Sequence, residues 1–318
     1  MTTKPRIIQV GSLAGSPTAN KRLSDQFDVI ELWKHDDKAA VLAEQGAGIE
    51  VLVTSAAQGC DASIINALPD LKAICSWGVG YETVDVAAAH AKGVQVSNTP
   101  DVLTDCVADL AWGLLLASAR RIGEGERFVR SGKWGQVHGS FPLGRRVSGK
   151  KLGIVGLGRI GEGIARRGLG FDMEVRYHNR RERPESSYTY EPSLLALAEW
   201  CDFLIVATVG GPSTHHLITR EVLQAVGPDG LVVNISRGPV IDEQALVELL
   251  TEGKLGGAAL DVFEHEPKVP QALIESEQSV LLPHIASATR ETRLEMENLV
   301  FENLAAYFKT GKVVTPVS

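Results

Sequence analysis

The chain has 318 residues, room for two domains, and its 44% hydrophobic content is that of an ordinary globular protein. Its 32 Lys and Arg against 39 Asp and Glu leave a formal charge of −7, which argues against general nucleic-acid or membrane binding, so an anionic ligand must meet a local cluster of positive charge. The longest apolar runs, such as FLIVA at 203–207, are strand-sized and too short to span a bilayer. The opening MTTKPRIIQVG lacks the apolar stretch of a secretion signal. Cysteines at 60, 75, 106 and 201 show no metal-ligand spacing. They read as core thiols of a cytoplasmic protein, with a structural zinc as the remote alternative; no metal site is expected.

In chain order, short apolar runs come first: RIIQV near 8, VIEL near 30, VLV at 51, LKAIC near 73 and VQVS near 95. About twenty residues separate each from the next, room for one helix per crossover, which predicts a parallel, flavodoxin-like unit. An apolar-rich helix is predicted from about Leu103 to Arg120. Residues 121–150 break the rhythm with glycine and little periodicity, and predict a loop-rich excursion that is functional or an interface arm. Within it Trp134 and Phe141 call for burial. A second series follows: KLGIVG at 151, MEVRYH at 173, FLIVAT at 203, LVVNIS at 231, GGAALDVF at 257 and VLLPH at 280. These Val, Ile and Leu runs predict strands buried on both faces. A last helix is predicted over roughly 289–309. Both ends of an inserted domain tend to lie close together, so this helix is expected to pack on the first domain. The predicted division is 1–99 plus 287–318 for one domain and 100–286 for the other. Both are α/β, doubly wound around parallel sheets.

GIVGLGRIGEGIARRG carries G-x-G-x-x-G at Gly156, Gly158 and Gly161, after a predicted strand and at the start of a predicted helix. Gly156 permits the tight turn, Gly158 lets the backbone approach a pyrophosphate, and Gly161 allows the helix to pack on the strand. The helix N-terminus adds free N–H groups and partial positive charge. The stretch from Gly156 through Leu157, Gly158, Arg159 and Ile160 to Gly161 is therefore a predicted dinucleotide site, and the inserted domain a Rossmann domain. The next strand ends in HNRRER. Where an NAD site has an acid on the adenosine ribose, this chain has Asn179, which removes the repulsion of a 2′-phosphate. Arg180 and Arg181 can supply charge-assisted bonds to that phosphate, each about 1.5–3 kcal/mol or roughly ten- to a hundredfold in affinity. NADPH is the predicted cofactor, with NADH less preferred. Arg183 reads as a solvated basic loop residue.

Three polar residues stand just past strand ends: Arg237 after LVVNIS, Glu266 after LDVFEH and His284 closing VLLPH. Ligands of open α/β sheets bind along that edge, so these residues and the WGVG turn at 77–80 predict a cleft walled by two sheet edges and able to close about its two chain crossings. His90, His138, His178, His215 and His216 have no such context and read as structural or solvent-facing, with only its adjacency to Asn179 to set His178 beside the adenosine.

With GVGYETVD at 78–85, SNTPDVLTD at 97–105, GLGRIG at 156–161, NISRGPVID at 234–242, GAALDVFEHEP at 257–267 and PHIASAT at 283–289, the chain resembles the D-isomer-specific 2-hydroxyacid dehydrogenases over nearly its whole length. Within them it looks most like NADPH-using glyoxylate/hydroxypyruvate reductases and hydroxyphenylpyruvate reductases. The resemblance implies that Arg237 holds the substrate carboxylate and polarises its 2-carbonyl. His284 would donate the proton as hydride arrives, and Glu266 would orient the imidazole and favour its protonated form. It further implies substrate contacts from the Val79 and Gly80 N–H groups and cofactor contacts from Thr104, Ile235, Arg237 and Asp261. The expected activity is reduction of small 2-oxo acids to D-2-hydroxy acids by a homodimer. Thr54 and Gln58 stand where phosphoglycerate dehydrogenases place cations, which disfavours a phosphorylated substrate. Ala286 replaces a frequent glycine. Two other readings are an NAD(P)-sensing binding protein like the C-terminal-binding-protein co-repressors, and a reductase of bulkier oxo acids with Trp134 as pocket wall or core.

Overall fold

The computed structural model describes residues 4–13, 15–16, 18–135 and 141–317, and the chain divides into two compact units, 1–103 with 287–318 and 104–286. The first unit holds β1 (Arg6–Gln9), β2 (Asp28–Glu31), β3 (Val51–Ser55), β4 (Ala73–Trp77) and β5 (Gln95–Ser97). They pair in parallel in the order β2-β1-β3-β4-β5. This is the flavodoxin-like order, with its switch point between β1 and β3. Every residue of β3 and β4 is buried, as expected of central parallel strands covered on both faces. Ile8, Leu52, Ile74 and Val96 run through one core with Leu42, Ile65 and Leu68 from the helices. The helix Arg290–Thr310 belongs to this unit, and its Tyr307 hydroxyl bonds Glu50 Oε2 at 3.0 Å.

The second unit holds β6 (Lys151–Val155), β7 (Glu174–His178), β8 (Thr189–Tyr190), β9 (Phe203–Val206), β10 (Leu231–Asn234), β11 (Ala258–Leu260) and β12 (Ser279–Leu281). Their order is β12-β11-β10-β9-β6-β7-β8, again parallel throughout. The strand order reverses between β6 and β9, the crevice where a Rossmann sheet receives its dinucleotide. Helix starts are fixed locally: the Asp61, Asp85, Asp242 and Thr289 side chains each accept an N–H from the first turn. Such caps are worth about 1 kcal/mol each. The predicted helix from Leu103 to Arg120 runs from Thr104 to Ala119. It is anchored to the helix Arg159–Leu169 through Trp112, whose Nε1 donates to Ile164 O at 3.0 Å.

Residues 121–150 depart from expectation. Arg121 takes a left-handed φ of 55°, and a new helix runs from Ile122 to Arg130. None of its residues is fully buried. Trp134, expected to seek burial, is 76% exposed, whereas Phe141 is half-buried against Phe128 with ring centroids 5.5 Å apart. His138 lies outside the described residues. Among the described residues no helix is long and apolar enough to cross a membrane.

Candidate active site

β6 delivers the chain into the glycine turn. Gly156 has φ +98°, and a Cβ there would stand 2.6 Å from Thr208 N. A Cβ on Gly161 would lie 2.1 Å from Gly156 O, so only glycine lets the helix Arg159–Leu169 close on the turn. At Gly158, the residue preceding the helix, a Cβ would meet nothing within 4 Å, so the space over the turn is open. Leu157 is buried, while Gly158 and Arg159 are exposed. Among the described residues the N–H groups of Gly158, Ile160 and Gly161 find no acceptor in the chain. Open space, unpaired donors and a helix N-terminus suit an anionic pyrophosphate, so the residues present fit a dinucleotide. Thr104, at the start of its own helix, lies beside this one: its Cγ2 is 3.8 Å from a Cβ built on Gly163.

The loop after β7 is tied to the same turn. Asn179 Oδ1 accepts from Leu157 N–H at 2.7 Å, which leaves the amide's NH₂ end to donate elsewhere. Arg180 and Arg181 are exposed, and among the described residues neither forms an ion pair. Arg183 corrects the sequence reading, for it is not a solvated loop arginine. Its Nη1 donates to Leu157 O at 2.7 Å and reaches Glu162 at 3.3 Å, its Nε meets Glu185 at 2.7 Å, and its N–H donates to the Tyr177 hydroxyl at 2.8 Å. The hydrogen bond it donates to Glu185 raises its guanidinium pKa further, against the cost of desolvation. Both polar groups of the Leu157 backbone are thus held by the 179–183 loop.

The strand-end trio forms one cluster within this unit. His284 Nδ1 lies 2.9 Å from Glu266 Oε2. Burial pushes the Glu266 carboxyl upward, but the His284 hydrogen bond and charge, the Phe263 N–H and the nearby Arg237 guanidinium together hold it below the ordinary carboxylate range. Gly238 explains how the arginine loop approaches: a Cβ there would sit 1.9 Å from the Phe263 backbone. Arg237 itself packs under Gly210, whose Cβ would stand 2.6 Å from Arg237 Cγ, and its Nη1 donates to Ser236 O at 2.7 Å. Asn234 braces the turn by accepting from Ser236 N–H at 3.0 Å and donating to Arg237 O at 3.1 Å. Ile235 is buried, with its N–H on Val206 O.

His284 has a left-handed φ of 53°. The fully buried Asp261 builds that turn: its carbonyl accepts His284 N–H at 2.9 Å, and its carboxylate oxygens accept Ile285 and Ala286 N–H at 2.7 and 2.8 Å. Burial raises the Asp261 carboxyl pKa against those two bonds. Sequence spacing gave no sign of this bracing role, because the partners are 24 and 25 residues away.

In the other unit the WGVG turn is set by Gly78, with φ +134°, and by Asn98, whose Nδ2 donates to Val79 O at 2.7 Å. Among the described residues the Val79 and Gly80 N–H groups have no acceptor in the chain. Thr54 is buried, with its hydroxyl on Gly59 O, and Gln58 is held by Ser55. Cys60, Cys75 and Cys201 are buried free thiols pushed up to about 12, chiefly by desolvation.

The chain is similar to known proteins over most of its length. Residues 112–286 match the family model for the D-isomer specific 2-hydroxyacid dehydrogenase NAD-binding domain. The chain is 46% identical to an Arabidopsis thaliana glyoxylate/hydroxypyruvate reductase A, covering 93% of this chain and 94% of that one. It is 47% identical to a Plectranthus scutellarioides hydroxyphenylpyruvate reductase, covering 93% and 94%. A solved NADPH-dependent glyoxylate/hydroxypyruvate reductase from Sinorhizobium meliloti, in complex with NADP and malonate, superposes with a TM-score of 0.92 at 41% identity, covering 99% and 97%. The chain therefore belongs to the D-isomer-specific 2-hydroxyacid dehydrogenases, and is an NAD(P)-dependent enzyme that reduces 2-oxo acids.

Proposed function

We propose that the chain reduces glyoxylate and hydroxypyruvate to D-2-hydroxy acids with NADPH, as a cytoplasmic homodimer. The observation that carries the reaction is the His284–Glu266 pair at 2.9 Å with Arg237 in electrostatic reach. The bound nicotinamide supplies the hydride. Arg237 binds the substrate carboxylate and draws electron density from the 2-carbonyl, a contact that strengthens as the oxygen becomes an alkoxide. Protonated His284 gives its proton to that oxygen. Glu266, kept ionised, fixes the ring through Nδ1 so that Nε2 faces the substrate, and balances the imidazolium until the proton leaves. Val79 and Gly80 N–H groups bind the carboxylate. Thr104, Ile235 and Asp261 border the nicotinamide, Asp261 chiefly through the turn it builds.

Cofactor choice rests on Asn179, Arg180 and Arg181. The amide leaves room for a 2′-phosphate, and two exposed guanidiniums stand ready for its oxygens. The relative solved with NADP supports this preference. The exposed apolar side chains of the 121–150 segment, Ile122, Val129, Trp134 and Leu143, support a second copy as their cover. Four free cysteines, three of them buried, suit a reducing compartment.

The test is a panel of glyoxylate, hydroxypyruvate and hydroxyphenylpyruvate, assayed with both reduced cofactors. The proposal expects the two small acids and NADPH to give the highest kcat/KM. It also expects Arg180→Ala or Arg181→Ala to lower the NADPH value roughly ten- to a hundredfold while sparing NADH. Preference for the aryl acid would move the chain toward the Plectranthus relative, and equal use of both cofactors in every variant would refute the phosphate reading.

A further inference from the structure

A second group of ligand-type side chains lies on the same unit, in residues that the sequence leaves structural or solvent-facing. His215, His216 and Glu264 bring one ligand atom each to within 4.8 Å of one another. His216 Nε2 is 2.9 Å from Glu264 Oε1, and the His215 and His216 rings stack with centroids 4.0 Å apart.

Adjacent histidines rarely share a target, because successive side chains of an extended segment point to opposite sides. Here His215 is extended, with φ −60° and ψ 124°, while His216 turns to φ +48°. That left-handed step, uncommon outside glycine, breaks the alternation and puts both rings on one side. The turn is held from outside: His216 N–H donates to Pro239 O at 2.8 Å, and Thr214 Oγ1 donates to Val209 O at 2.8 Å. Glu264 is anchored through its own N–H, which donates to Glu243 Oε1 at 3.1 Å.

We propose that His215, His216 and Glu264 form a binding site for a divalent transition-metal ion of the zinc type, separate from the reacting centre. Two imidazoles and a carboxylate are the donors such ions take, whereas magnesium and calcium take oxygen. Ligands at about 2.0–2.1 Å from a tetrahedral ion stand roughly 3.4 Å apart. His216 and Glu264, 2.9 Å apart, need to part by only about 0.5 Å to reach that spacing, and the exposed His215 ring, whose ligand atom lies within 4.8 Å of theirs, closes the third side by rotating. Water takes the fourth position. The ion takes the place of the hydrogen between His216 Nε2 and Glu264, the neutral ring then carrying its proton on Nδ1.

Isothermal titration of tag-free protein with ZnCl₂ tests the site, alongside His215→Ala, Glu264→Gln and His284→Asn. The last variant removes the other imidazole–carboxylate pair that could take zinc. We expect one saturable ion per chain, affinity weakened tenfold or more by either of the first two substitutions, and affinity unchanged in His284→Asn. Zinc should also raise the melting temperature of the unsubstituted chain, and not of His215→Ala. Metal-free melts matching the parent chain confirm that the variants are folded. No saturable binding, binding indifferent to His215→Ala and Glu264→Gln, or binding lost only with His284→Asn would each overturn the proposal.

Discussion

At Arg183 one guanidinium joins the loop after β7 to the carbonyl of Leu157 and to Glu162 on the glycine-turn helix. Asn179 holds the N–H of the same Leu157. The two side chains should nevertheless fail differently. Arg183→Ala frees the turn that meets the pyrophosphate, a part common to both cofactors, so KM should rise for NADPH and NADH alike, with Arg183→Lys restoring only part because a point charge does not reproduce the fork. Asn179→Asp places a carboxylate where the 2′-phosphate is proposed to lie. Like charges in contact cost several kcal/mol, so kcat/KM should fall by roughly a hundredfold for NADPH and little for NADH. Steady-state kinetics with both cofactors checks each outcome. Asn179 was legible because it occupies a fixed place after a strand. Arg183 was not, since the groups it bonds lie 26 and 21 residues away along the chain.

Strands were the most legible elements, because parallel strands covered on both faces must be continuous runs of Val, Ile and Leu, as β9 and β10 are. The two-residue β8 and the helix Ile122–Arg130 were missed, the first for its length and the second because two glycines interrupt it and none of its residues is fully buried. Another hidden feature is the buried Glu297 on the C-terminal helix. It accepts from Ser16, from Thr18 at 2.8 Å and from Arg22 at 3.0 Å, all far away in sequence. Burial pushes this carboxyl up, but the Ser16, Thr18 and Arg22 contacts hold it below its ordinary value of 4.5. A depressed folded pKa means the unfolded chain takes the proton first. The cluster's stabilisation is therefore complete above pH 4.5 and fades as pH falls through the lower folded value. Glu297→Gln should flatten that acid limb in melts recorded from neutral pH downward, and should cost about 1–3 kcal/mol at neutral pH by leaving buried hydroxyls imperfectly paired. An acid limb unchanged by the substitution would show that the cluster does not govern it.

At the scale of the whole chain, the segment that the sequence flagged as an interface arm carries large apolar side chains with no cover of their own: Leu143 is 92% exposed and Val129 54%. If a second copy covers them, Val129→Glu should convert a dimer to a monomer in sedimentation velocity, with the melting temperature lowered and dependent on concentration. A parent chain that sediments as a monomer would remove the homodimer from the account.

His284, held by Glu266, is proposed to deliver the proton to the 2-oxo acid. Single-turnover oxidation of bound NADPH by glyoxylate, followed by loss of its absorbance, tests this most directly when parent chain and His284→Asn are compared. The rate should be roughly 10²–10⁴-fold slower in the variant, with NADPH affinity unchanged. A variant that oxidises NADPH at close to the parent rate would contradict it.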